Sequence, residues 1–197
     1  MPVLDPEYLT FRYSCEYRGI PGRRYNQTDP VEWDLAIETG TFVFDDDEDP
    51  DGVVPVGDAR FWVVPDAGTI DLLDALDAVD QKMLDVAEML VHERPDLFFA
   101  ARMDLGGDLL VVPEITIDPR FRGHKTGHAV LTAILTTVAR NTTLVVMDAA
   151  PVLADGVPEG SPQHVEARAA LRRYWNEYGF QEAAGDYLAL VIGDDLP

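Results

Sequence analysis

Cysteine and lysine are almost missing from this chain: Cys15 is the single thiol, and Lys82 and Lys125 are the only lysines. One thiol rules out an intramolecular disulfide framework. No apolar run is long enough to cross a bilayer, and no basic-then-apolar leader pattern opens the chain. The expected setting is therefore the cytoplasm, with no membrane partner. Positive charge is scarce altogether, with 15 Lys+Arg against 36 Asp+Glu and a formal net charge of −21. That field repels a phosphate backbone and excludes nucleic acid as a partner. It suits either plain solubility or the attraction of cations, such as a small-molecule amine or a basic peptide.

With 197 residues, 47% of them hydrophobic, the chain can bury one sizeable core, and a single domain over 1–197 is expected. Tyr8 to Tyr17, Glu32 to Phe44 and Val54 to Val64 carry β-branched and aromatic residues between Pro, Gly and Asp, which predicts strands. Within the first, alternation makes Cys15 a half-buried structural thiol rather than a nucleophile. The second and third should pair as a hairpin. Its tip, Asp45 to Gly52, is rich in carboxylates but lacks the spaced glycine and terminal glutamate of a calcium loop, so it reads as solvated and no metal site is expected.

From Thr69 to about His92, apolar residues recur at three and four, predicting a helix. Asp71, Asp74, Asp77 and Asp80 recur every third residue, drift around such a helix, and read as solvated. A strand Leu109 to Ile117 follows, and Pro113 inside it calls for a bulge or an interruption of pairing. A helix from Thr126 to Arg140, a short buried strand Thr143 to Asp148, a Gly/Pro-rich loop from Ala149 to Pro162 and a helix from His164 to Tyr178 come next. Gly179 stops that helix. Two strands, Phe180 to Ala183 and Tyr187 to Ile192, turn on Gly185-Asp186. Alternating strands and helices of this kind predict an α/β fold, a mixed central β-sheet flanked by helices.

The segment between Ile117 and the next helix holds Arg120, Arg122, His124, Lys125 and His128, five basic groups in nine residues of an acidic chain. A helix start presents unpaired N–H groups and the positive end of the dipole, so a basic, glycine-containing loop there is suited to phosphate or pyrophosphate. Cations alone at a helix N-terminus oppose the dipole, which makes an anion the natural occupant.

Two elements then resemble the GNAT superfamily of N-acetyltransferases. Arg122-Gly123-His124-Lys125-Thr126-Gly127 is similar to its acetyl-CoA loop, Arg/Gln-x-x-Gly-x-Gly/Ala. Tyr174-Trp175-Asn176-Glu177-Tyr178-Gly179-Phe180 is similar to its aromatic helix end before Gly-Phe. The resemblance covers Leu109 to Ile192 and implies a GNAT-like acyl-CoA N-acyltransferase fold with acetyl-CoA as acyl donor. It further implies that the backbone of Ile115, Thr116 and Ile117 pairs with the pantetheine arm. Gly123, His124, Lys125, Thr126 and Gly127 would hold the pyrophosphate, with charge from Arg122 and Lys125.

Lys125 departs from the family by standing at its central glycine, and Trp175 stands where a tyrosine often serves as the acid. Tyr174, one residue earlier, is the candidate acid, with Tyr178 behind it. Glu114 on the cofactor strand is the candidate base, its alternative being a solvated edge carboxylate, and His128 and His164 are weaker candidates. Residues 1–108, the acceptor-side half, place strands where the family places helices. The implied activity is acetyl transfer to an amine, alternatives being a catalytically silent acyl-CoA-binding module and an unrelated phosphate-binding domain. A homodimer is an allowed assembly.

Overall fold

The computed structural model describes residues 5–16, 29–40, 52–151, 158 and 160–193. Seven strands form one mixed sheet in the order β1-β2-β3-β4-β5-β7-β6. They are β1 (Leu9–Cys15), β2 (Val31–Gly40), β3 (Val53–Val64), β4 (Asp108–Ile117), β5 (Thr142–Asp148), β6 (Gln181–Ala184) and β7 (Tyr187–Val191). All neighbours run antiparallel except β4 and β5, which are parallel. The α/β class with a mixed sheet between helices is the one the sequence implied. The expected hairpin is β2–β3, and its acidic tip lies mostly outside the described residues, as does much of the loop after Ala149.

The two faces of the sheet carry separate apolar layers. On one, Phe61, Leu110, Val112, Val145 and Met147 meet Val130, Leu131 and Ile134 of α4 (Thr126–Thr137) and Trp175 of α5 (Pro162–Asn176). On the other, Trp62, Leu109, Val111, Leu144 and Val146 meet α1 (Leu72–Asp77), α2 (Gln81–Glu88) and α3 (Pro95–Ala100) through Leu76, Met83, Val86 and Leu97. Adjacent residues of β4 and β5 thus serve opposite layers, so both strands read as continuous apolar runs. Each fully buried Leu or Ile contributes about 1.5–3 kcal/mol by leaving water.

The single helix expected over 69–92 is two helices and a wider turn. Asp71 accepts from the Asp74 N–H and Asp80 from the Met83 N–H, so each starts a helix of its own. The aspartates read as merely solvated therefore include two caps. After α2 the backbone continues as a π turn, Met89–Glu93, closed by the Arg94 N–H on the Met89 carbonyl. Cys15 is exposed rather than half-buried. Alternation puts it on the covered side of β1, but it ends an edge strand and lies beyond the cover. In the described residues of the first half, three strands precede the helices, as the sequence indicated.

Candidate active site

The parallel pair β4–β5 holds only from Asp108 to Val112, whose last partner is Met147. Beyond it β4 continues to Ile117 paired with β3 alone, through Glu114↔Arg60, Ile115↔Ala59, Thr116↔Asp58 and Ile117↔Gly57. The register shifts between Arg60 and Trp62, opposite the stretch that contains Pro113. Proline offers no N–H to a ladder, and the bulge it occupies turns the strand away from β5. Alternate N–H and C=O groups along residues 113–117 therefore face the opening without a strand partner.

The loop at the end of β4 is shaped for an anion. A short turn, Pro119–Phe121, is capped by Asp118, which also binds Arg120 at 2.9 Å. Arg122 Nε donates to the Ile117 carbonyl at 2.9 Å and ties the loop to the strand end. Gly123, His124 and Lys125 then take φ of 96°, 48° and 57° in succession. Two consecutive non-glycine residues in the left-handed region each cost about 1 kcal/mol or more, a strain typical of ligand-holding loops. The Thr126 hydroxyl, buried, fixes this shape by donating to the Phe121 and Gly123 carbonyls. Among the described residues, the N–H groups of Gly123, His124 and Lys125 have no acceptor. Lys125 Nζ lies 3.3 Å from Glu177, so its charge is shared with the end of α5.

Tyr174 packs against the start of α4. Its hydroxyl accepts the His128 N–H at 3.1 Å, sealing part of the α4 N-terminus. Gly127 makes this possible, since a Cβ there would come within 2.7 Å of that hydroxyl. His128 Nε2 donates to the Tyr174 carbonyl at 2.9 Å, and burial, with Lys125 nearby, holds the imidazole below its usual pKa. It is a satisfied neutral group rather than a poised base. Trp175 is buried in the same aromatic cluster with His128, Tyr178 and Phe180, and Tyr178 meets the Thr132 hydroxyl at 3.0 Å. His164 lies in the turn that starts α5, with its Nδ1 accepting the Gly160 N–H.

A cavity of about 560 Å³ opens on the α2 face of the sheet where β4 and β5 diverge. Glu114 of β4 and Asp148 of β5 both line it, with Asp34, Asp58, Arg60, Lys82 and Tyr187. Tyr174 does not. Glu114 accepts the Thr116 hydroxyl at 2.9 Å, and Lys82 reaches Asp148 at 3.4 Å. Burial and the carboxylates of Asp148, Asp85, Asp80 and Asp186 push the Tyr187 phenol up to about 12, which keeps it a hydrogen-bond donor at neutral pH. Asp58 is raised too, by partial burial and then by Glu114 and Asp34, against the pull of Arg60. Sequence reasoning found Glu114 and missed the others, because they come from five elements that only the sheet brings together.

The raised Asp58 carboxyl gives a stability prediction. Its proton favours the folded state, so its contribution is complete below the unfolded carboxyl pKa and is lost as pH rises through the higher folded value. Asp58→Asn, which stays uncharged, should melt at a higher temperature than the parent at neutral pH and lose that advantage in acid. Equal melting temperatures at neutral pH would show that the carboxylates do not crowd.

No protein-family profile matches the chain, and no curated protein sequence does. Among solved structures it is similar to a mosquito protein described as arylalkylamine N-acetyltransferase like 5b. The TM-score is 0.42 and the identity 11%, over 81% of this chain and 74% of that one. At that distance no residue or activity is carried across.

Proposed function

We propose that the protein is an acetyl-CoA-dependent N-acetyltransferase of GNAT-like architecture, moving acetyl directly from the thioester to an amine. The divergence of β4 from β5 after Val112 carries the reading. It opens a strand edge immediately before the amide-rich loop and between the two strands that bear Glu114 and Asp148. Residues Ile115 to Ile117 offer backbone pairing to an extended amide chain. The N–H groups of Gly123 to Lys125, with the Arg122 charge, suit a pyrophosphate. Acetyl-CoA, a substrate of the reaction, has both features.

The acceptor reaches an acidic cavity as an ammonium ion and must first lose a proton, which Glu114 can take directly or through water. Its nitrogen then bonds to the carbonyl carbon as the carbon–sulfur bond breaks. Of the two protons the nitrogen sheds overall, one goes to the thiolate and one to solvent. Tyr174 holds the entry of α4 in place as a positioning residue. Alignment of amine and thioester supplies much of the rate in such a site.

Calorimetric titration should show acetyl-CoA binding, and an amine panel should release CoA thiol. Glu114→Gln should slow release about a hundredfold while leaving acetyl-CoA affinity unchanged. Absence of acetyl-CoA binding removes the reading. Binding without turnover on any amine would select the silent acyl-CoA-binding module, a reading favoured by Trp175 buried at the usual acid position.

A further inference from the structure

The cavity at the strand divergence holds an amine of the protein's own. Lys82 is one of two lysines in the chain and, among the described residues, the one primary amine in the cavity lining, where the other cations are Arg12 and Arg60. A guanidinium keeps its proton and does not attack a carbonyl, whereas a lysine that loses a proton is a nucleophile. Lys82 stands in the first turn of α2, where a cation opposes the helix dipole, so helix stability does not account for it. Its side chain reaches across to the sheet and brings Nζ to 3.4 Å from an Asp148 carboxylate oxygen.

Asp148 marks the reactive end of the cavity. The parallel pairing of β4 and β5 ends at Val112 and Met147, so Asp148 is the first β5 residue past the divergence. One of its oxygens accepts the Ala150 N–H at 2.9 Å, and the other faces Lys82. The carboxylate is largely buried while the ammonium is largely exposed, 15% against 71%. An amine held at the gap that admits the thioester is at high effective concentration toward it.

We infer that Lys82 is a self-acetylation site, taking the acetyl group of bound acetyl-CoA when no other amine fills the cavity. This rests on the acetyl-CoA reading and extends it. Asp148 takes one proton from the ammonium, Nζ bonds to the carbonyl carbon, and the carbon–sulfur bond breaks. The nitrogen keeps one of its three protons; a second goes to the thiolate, and the one on Asp148 goes to solvent. The product is a neutral amide that no longer pairs with Asp148.

The full chain is incubated with isotope-labelled acetyl-CoA and no amine, and its peptides are mapped by mass spectrometry at intervals. The same lysine in the chain unfolded by urea is the standard for unassisted chemistry. Lys82 should take up acetyl about a hundredfold faster in the folded protein, at a rate per molecule that does not change with protein concentration. Asp148→Asn should slow it about a hundredfold. If Lys82 reacts no faster folded than in urea while the amine panel still releases CoA thiol, the inference is overturned and N-acetyltransfer stands. A rate per molecule that climbs with protein concentration would mean transfer between molecules and would overturn it as well. Labelling of Asp148→Asn as fast as the parent would overturn the role given to Asp148. Failure of acetyl-CoA to bind, measured separately by calorimetry, would remove the underlying acetyl-CoA reading itself.

Discussion

Gly57→Val should lower the free energy of unfolding by about 3 kcal/mol, or prevent folding, because β4 leaves no room for a side chain at that position. A Cβ on Gly57 would overlap the Thr116 carbonyl oxygen and press on the Ile117 Cα, both of them backbone that cannot swing aside. Beyond Val112 the strand is held only by β3, so separating the two at Gly57 also moves Glu114 and the start of the basic loop. Urea denaturation measures the effect. Gly193→Ala is the control, since a Cβ there meets nothing and the change should stay within about 0.5 kcal/mol. An unchanged midpoint for Gly57→Val would mean that β3 and β4 are not packed this closely.

The second large effect is on ligand binding. Arg122→Glu should weaken acetyl-CoA binding about a hundredfold, equivalent to about 2.7 kcal/mol. The reversal puts a carboxylate beside the pyrophosphate and removes the hydrogen bond that ties the loop to Ile117. The neighbouring cations should matter less. Arg120 is bound to Asp118 at 2.9 Å, and Lys125, exposed, is 3.3 Å from Glu177. Lys125→Ala should therefore cost only a few-fold in affinity. Calorimetry at low and moderate salt separates the two, with the Arg122 effect shrinking as ionic strength rises. Equal acetyl-CoA affinity in Arg122→Glu and the parent would show that the anion binds elsewhere.

Much of the second half was legible from local chemistry. The strand ending at Ile117, the loop, α4, β5, α5 and the β6–β7 turn each announce themselves by periodicity and by punctuation at Pro119, Gly179 and Gly185. Pro113 marked an interruption of pairing, and the structure places the β4–β5 divergence there. The first half was less legible. Apolar spacing from Thr69 to His92 is continuous, so periodicity reads one helix, whereas Asp80 caps a second one within it. A cap is a local competition for one N–H group, and an apolar count does not register it.

Tyr174 and Trp175 show the same limit from the other side. Their sequence position suggested a proton donor near the thioester. Packing buries the indole and makes the phenol oxygen the acceptor of the His128 amide, with its own proton still to donate, because α4 and α5 meet through that aromatic cluster.

By itself the sequence determined the basic loop, its place between a strand and a helix, and the acidity of everything around it. These are properties of neighbouring residues, set by backbone preferences and charge that act over a few positions. Tertiary structure alone decided where the acidity acts. Asp34, Asp58, Glu114 and Asp148 lie far apart along the chain and become one cavity only when β2, β3, β4 and β5 align side by side. That alignment follows from burying both faces of the sheet, a long-range hydrophobic requirement that no local pattern encodes.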